Sequence, residues 1–336
     1  MSISFPGFMV ILNKNSVINS RHLVYGLVSV TLVSLFIGRY QILEDLNRFR
    51  LDSLFWPLLF NVRLPRVLLA LLAGAGLALS GLVTQMIFRN PLADSGILGI
   101  SQSAGFGAAL GILAFGNSFV FVQSLSFLFS LVALAMTLVL SSEIGKDKIL
   151  SLVLAGIAVS ALFSSGLGLL KYLADPVNQL PNIVFWLLGS LSTANWMLLM
   201  RTAILVIPLM VLFFVYRWRL NIHALDKSVS FSLGIKDTKE IYIVLIGSVL
   251  LTSTIISVSG IINWVGLIIP NFARVIFGSD SSISLTNSLL MGGIFMVVCD
   301  TLSRSLLPGE IPLGIFTALI GSMLFVFLLL RKKLTI

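Results

Sequence analysis

The sequence predicts an all-α polytopic membrane protein with about ten transmembrane helices, each a run of about 20 apolar residues. Three observations predict it. Of the 336 residues, 57% are hydrophobic and only 10% charged, whereas a soluble chain carries about 25% charged residues. Mean hydropathy is +1.06. The apolar residues fall in long runs separated by short polar connectors, the pattern that suits lipid as the solvent. A formal net charge of +9 would point to nucleic acid in a soluble protein. Here the basic residues lie in the connectors, where they orient spans in a membrane, so no nucleic-acid partner is expected. Cys299 is the single cysteine, and His22 and His223 are the two histidines. That excludes a disulfide framework and a metal cage built from His and Cys.

In chain order the runs bounded by charge, Pro or Asn are 24–38, 67–88, 95–115, 119–141, 149–170, 197–216, 241–258, 261–277, 285–303 and 311–330. The first follows Arg21. Residues 1–10 are apolar but lack a basic leading region and a following small-residue cleavage site, so the first span is expected to be retained. The second starts just after Pro65 and Arg66 and stops at Arg89. The third and fourth are separated by Gly116 and Asn117, and the fifth follows Lys148 and stops at Lys171. Residues 182–192, between Pro181 and Trp196, are too short to cross and read as a re-entrant or interfacial half-helix. The sixth run ends at Arg217 and the seventh follows Glu240. The eighth is short, carries Pro270 and begins immediately after Gly260, so it reads as a tilted or incomplete helix. The tenth ends at Arg331. The whole of 1–336 reads as one transmembrane domain, with 217–240 as its longest connector.

If the spans alternate from an inside N-terminus, the inside holds 14 of the 22 Lys and Arg. The positive-inside rule then favours an even number of spans with both termini cytoplasmic. Small residues recur at four-residue spacing: Ala70, Gly74 and Ala78 on the second span, and Ser95, Gly99, Ser103, Gly107 and Gly111 on the third. Such faces let helix backbones approach closely.

Energy for transport has three sources: nucleotide hydrolysis, an ion gradient or a partner. No Gly-x-x-x-x-Gly-Lys-Ser/Thr loop occurs in the sequence, and Lys146 after Gly145 lacks both the leading glycine and the following hydroxyl. Ion coupling usually leaves an ionisable group at mid-membrane. None stands at a span centre, and Asp300 and Arg304, near the outer end of the ninth span, are spaced to satisfy each other. Energy is therefore expected from a cytoplasmic partner, with an ion-coupled secondary transporter as the alternative class.

Connector 217–240 carries Ala224, Leu225, Val229 and Leu233 at roughly helical spacing, with Gly234 as a stop. The pattern predicts a short amphipathic helix, lying either on lipid or in a groove of an ATPase subunit. Outside, Arg63 and Arg66 flank Pro65 in R-L-P-R. Paired guanidiniums at an outer rim suit either headgroup anchoring or bidentate capture of carboxylates from a docking protein.

These motifs, in order, resemble the FecCD-type permease family of bacterial ABC importers, to which the cobalamin importer's membrane subunit belongs. The matching text is R-L-P-R at 63–66, G-A-G-L-A-L-S-G at 74–81, Q-M-I-F-R-N-P-L-A at 85–93, I-L-G-I-S at 97–101, L-A-G at 154–156, S-L-G at 232–234, V-G-L-I-I-P-N at 265–271, Asp300, Arg304, and E-I-P-L-G at 310–314. The resemblance implies a cobalamin-importer permease-like bundle in the cytoplasmic (inner) membrane of a bacterium or archaeon. It implies as partners a second permease, by preference an identical copy, two cytoplasmic ATP-binding subunits and an extracytoplasmic substrate-binding protein. This chain would be no enzyme and would bind no cofactor or metal itself; ATP and Mg would serve the ATPase. Binding-protein docking falls by resemblance on Arg63, Arg66 and Arg304. ATPase coupling falls on Ala224, Leu225, Asp226, Ser232, Leu233 and Gly234. The gate region aligns with Ser141, Lys146 and Lys148, and pathway helices carry Gln85, Asn90, Pro91, Ser101 and Ser103. The sequence departs from the family where Asn271 replaces a frequent His after Pro270, and where Asp226 only loosely matches the acidic start of the coupling helix. The implied cargo is a metal chelate, first an iron-siderophore, with haem, cobalamin or an oxyanion such as molybdate as alternatives.

Overall fold

The computed structural model describes residues 20–38, 55–116, 118–145, 147–223, 237–278 and 280–334. Among these are twelve helices and no strand. They are α1 (Ser20–Phe36), α2 (Phe55–Phe88), α3 (Ile100–Phe115), α4 (Phe119–Ile144), α5 (Lys148–Leu173) and α6 (Gln179–Leu187). There follow α7 (Trp196–Val215), α8 (Arg217–His223), α9 (Asp237–Ser259), α10 (Val265–Phe277), α11 (Ser281–Ser305) and α12 (Leu313–Leu334). Seven are long and apolar enough to cross a membrane, and α1, α3 and α10 are shorter apolar helices. Together these are the ten runs expected.

Helix α2 is the axis of the bundle. It is 34 residues long and 83% of its most apolar window is buried, because small residues on several faces admit neighbours all round: α11, α9, α10 and α7 pack on it. A Cβ on Gly74 would lie 2.2 Å from Gly292 O of α11, and one on Gly81 would lie 1.9 Å from Gly266 O of α10. Towards α9 the contact is polar: Ser80 Oγ donates to Ser248 O at 2.9 Å and pairs with Thr252 Oγ1 at 2.7 Å. These hydroxyls satisfy one another where lipid offers no partner. The faces of α4, α5, α7 and α12 carry exposed Leu, Val, Ile and Phe, as lipid or a partner helix requires.

Two expected boundaries shift. The second span does not begin after Pro65. The helix starts at Phe55 and runs through a π turn at Leu58–Arg63, where Leu64 N–H donates to Leu59 O. The wider turn accommodates a proline whose ring would otherwise meet the preceding carbonyls. The third run is broken at Gly99 (φ 85), so a 3₁₀ turn at Ser95–Leu98 precedes α3 and Ser95 is not on the stripe. The stripe survives from Ser103, with Gly107 and Gly111 set against the backbone of Leu125 and Val122 in α4.

Pairwise contacts sort the helix ends into two faces. At one, called here the Arg63 end, Arg63 reaches Leu35 O, Trp196 Nε1 donates to Phe60 O and Ser190 N donates to Ser259 O. At the other, the Asp280 end, Asn221 Nδ2 reaches Asp280 and Lys148 Nζ lies 6.0 Å from the Tyr242 ring centroid. Helix α1 starts at the Asp280 end and α12 finishes there, as an even number of crossings demands. The half-helix expected near 182–192 is α6. It crosses nothing and is pinned at the Arg63 end by Leu313 N donating to Gly189 O and Gly314 N donating to Leu188 O.

Candidate functional sites at the two ends of the bundle

At the Arg63 end, α2 and α11 bring together Arg63, Arg66, Asp300 and Arg304, and the turn before α12 adds Glu310. Arg66 Nε donates to Asp300 Oδ1 at 2.9 Å. Its Nη1 and Nη2 donate to Glu310 Oε1 and Oε2 at 2.8 and 3.2 Å, a fork meeting a fork. Asp300 Oδ2 lies 3.4 Å from Arg304 Nε, a charge contact without hydrogen-bond geometry. Arg304 instead donates Nη2 to Ser34 O and Oγ at the end of α1. The expected (i, i+4) spacing of Asp300 and Arg304 is therefore an ion pair, within a larger network. The three arginines do not form an open rim: each is less than 10% exposed. Residue Gly38 sits over them, and a Cβ there would lie 2.8 Å from Arg63 Nη2 and 3.5 Å from Arg304 Nη1. Burial follows from α2 continuing past Arg63 and from α1 and α11 closing on it.

At the same end of the bundle, the C-terminal ends of α3 and α9, the start of α4 and helix α6 line a cleft of about 230 Å³. Its polar lining is Gln123, Asn182, Ser190, Ser192, Thr193 and Ser259, all neutral amides and hydroxyls. Between α5 and α6, hydrogen bonds from Val177 N–H and the Asn178 amide hold the Asp175 carboxyl below its usual range.

At the Asp280 end, the residues expected on pathway helices divide. Gln85, buried, donates Nε2 to Gly266 O and Leu267 O at 3.1 and 3.0 Å and accepts from Arg274. Asn90 and Pro91 form an exposed turn in which Leu92 N donates to Asn90 Oδ1 at 2.9 Å. Asn271 ties that turn to α10: its Nδ2 donates to Pro91 O at 2.8 Å and Leu267 O at 2.7 Å, and its Oδ1 accepts from Arg274 at 2.9 Å. Ser101 and Ser103 lie on α3, apart from this group, and Ser103 Oγ donates to Ile100 O at 2.9 Å. Asn271 is thus an amide that fills three hydrogen-bonding roles at once without titrating. Nearby, burial pushes the Asp94 carboxyl up, against hydrogen bonds from the Gly96 and Ile97 N–H groups.

The coupling residues Ala224, Leu225, Asp226, Ser232, Leu233 and Gly234 lie outside the described residues, as does Lys146 of the gate region. Their flanks are firmly held. Arg219 pairs with Glu240, Ser281 N donates to Asn221 Oδ1 at 2.9 Å, and Ser281 Oγ donates to Arg217 O. Asp280 caps α11 by accepting from Ser282 N at 2.8 Å, which with the Asn221 amide holds its carboxyl below the usual range. In the gate region, Ser141 Oγ donates to Leu138 O at 2.8 Å on α4, and Lys148 opens α5 behind the Asp147 cap.

Sequence reasoning missed the part played by Glu310, Ser34 and Arg274. A carboxylate at a membrane boundary, as in E-I-P-L-G, needs a partner, and that was the available signal for Glu310. Ser34 carried no signal, since its contact spans the whole chain.

Comparison with known proteins gives a consistent result. Residues 23–331 match the FecCD transport family. The molybdate import system permease protein MolB of Haemophilus influenzae is 38% identical over 316 residues, covering 91% of this chain and 94% of that protein. The hemin transport system permease protein HmuU of Yersinia pestis is 35% identical, covering 83% and 84%. A solved structure of an ABC transporter, described as inward-facing, superposes with a TM-score of 0.86 at 38% identity, covering 93% of this chain and 98% of that one.

Proposed function

The chain belongs to the FecCD transport family and is a permease subunit of an ABC importer in the inner membrane, and from that premise we propose how it works and what it carries. Two copies line a central pathway. An extracytoplasmic binding protein delivers cargo at the Arg63 end, and two cytoplasmic ATPase subunits, using ATP and Mg, act at the Asp280 end through residues 224–234. Both termini are then cytoplasmic. ATP-driven closure of the ATPases is passed to the bundle through the braced flanks of that segment, Arg217–His223 and the start of α9, giving alternating access. The segment from Ser141 to Lys148 moves with them as a gate.

The observation that carries this reading is the match over residues 23–331 joined to a fold superposing at a TM-score of 0.86 on a solved transporter. In this reading Arg63, Arg66 and Arg304 receive carboxylates of the binding protein. The cargo is a metal chelate, first an iron-siderophore. A cleft lined largely by apolar side chains, whose polar groups are neutral amides and hydroxyls, suits a ligand whose metal is already wrapped, touched weakly and released. A second reading, an oxyanion such as molybdate, is favoured by the extent of similarity to MolB.

Proteoliposomes holding the permease, its ATPase and loaded binding protein test both. ATP-dependent uptake of a radiolabelled ferric siderophore supports the first reading, and uptake of molybdate alone replaces it with the second. Uptake by this chain without the ATPase would overturn the coupling scheme itself.

A further inference from the structure

From the geometry at the Arg63 end we infer that Glu310 is an internal occupant of the docking site, a carboxylate that holds the Arg66 fork until the binding protein's carboxylate displaces it. The inference rests on the docking reading above and adds a competitor to it. Asp300 and Glu310 both bind Arg66, but they differ in access. The Asp300 side chain is 1% exposed and lies between Arg66 and Arg304, whereas that of Glu310 is 33% exposed. Asp300 is thus the fixed counter-ion, and Glu310 is the partner that solvent can recover.

The geometry of the fork supports exchange. Among the described residues, only Glu310 occupies the terminal nitrogens of Arg66, the pair that grips a carboxylate bidentately. An incoming carboxylate can make the same two bonds only after Glu310 leaves. The exchange trades one fork for another and returns Glu310 to water, so it is nearly balanced. Near balance suits a protein that must dock and release in every cycle. Glu310 sits in the turn between Ser305 and Leu313, outside either helix, so its departure breaks no helical hydrogen bond.

The test is the affinity of loaded binding protein for the reconstituted permease and ATPase, measured for wild type, Glu310→Gln, Glu310→Ala and Arg66→Lys. Glu310→Gln and Glu310→Ala are expected to tighten binding by about tenfold, since removing the competitor leaves the fork open to a charge-assisted partner. Arg66→Lys, which keeps the charge but loses the fork, is expected to weaken it. If both Glu310 variants bind as wild type or more weakly while Arg66→Lys weakens docking, Glu310 is a structural brace and the inference is wrong, although docking on Arg66 stands. If Arg66→Lys leaves affinity unchanged, docking on Arg66 fails, and the inference with it. Co-purification of each variant with the ATPase separates these outcomes from misfolding.

Discussion

Asp300 shows how much a single side chain carries at the Arg63 end. It is buried, it accepts from Arg66, and it is the near charge for Arg304. Replacing one member of a buried ion pair strands the others in a medium that solvates charge poorly. Asp300→Asn is therefore expected to destabilise the protein by about 3 kcal/mol, read as a lower unfolding midpoint in detergent. By the same logic a solvent-reachable neighbour contributes less, so Glu310→Gln should move that midpoint much less than Asp300→Asn. The sequence disclosed the spacing of Asp300 and Arg304 and the identity of the three arginines. It did not disclose their burial, because burial depends on where α1 and the 306–312 turn lie, and neither is encoded near Arg63.

At the scale of elements, close approach of α2 to its neighbours depends on side chains that are absent. A methyl group on Gly81 would meet the carbonyl of Gly266, whereas one on Gly168 of α5 meets nothing within 4 Å. Gly81→Ala is expected to cost about 1–3 kcal/mol or more by overpacking. Gly168→Ala is expected to be neutral or to stabilise by up to about 1 kcal/mol through helix propensity. Parallel thermal unfolding of the two variants checks the contrast, and equal shifts would refute the central place of α2. Ten apolar runs and one half-helix were legible because hydropathy and length are local properties. The π turn before Arg63 and the break at Gly99 were not, since a proline or glycine in an apolar run fits a boundary, a kink or an uninterrupted helix equally well.

For the molecule as a whole, the two ends differ in kind: buried ion pairs and a half-helix at one, amide networks and braced connectors at the other. Orientation can be read directly, because the native Cys299 is buried and leaves little background. An impermeant thiol reagent added outside intact cells or spheroplasts is expected to label Thr193→Cys and spare Ser282→Cys, both exposed positions at opposite ends. The reverse pattern would invert the proposed topology and place the arginine cluster in the cytoplasm. Charge counting favours the proposed orientation, whereas hydropathy alone does not distinguish the faces. The family was legible because its motifs are short and ordered; the coupling residues lie outside the described structure, so only their anchors can be weighed.

The main-chain hydrogen bonds at Leu188, Gly189 and Ser190 join the end of α6 to α12 and to the last residue of α9 at nearly one point. Mechanically such a point can act as a fulcrum. Helix α12, with 22 residues, extends about 33 Å from it at 1.5 Å per residue. A tilt of about 10° around the fulcrum would carry the far tip of α12 by about 6 Å, given that 33 Å arm, while the half-helix beside the cleft barely shifted. Small rotations of α12 would then displace its Asp280 end widely and its Arg63 end hardly at all.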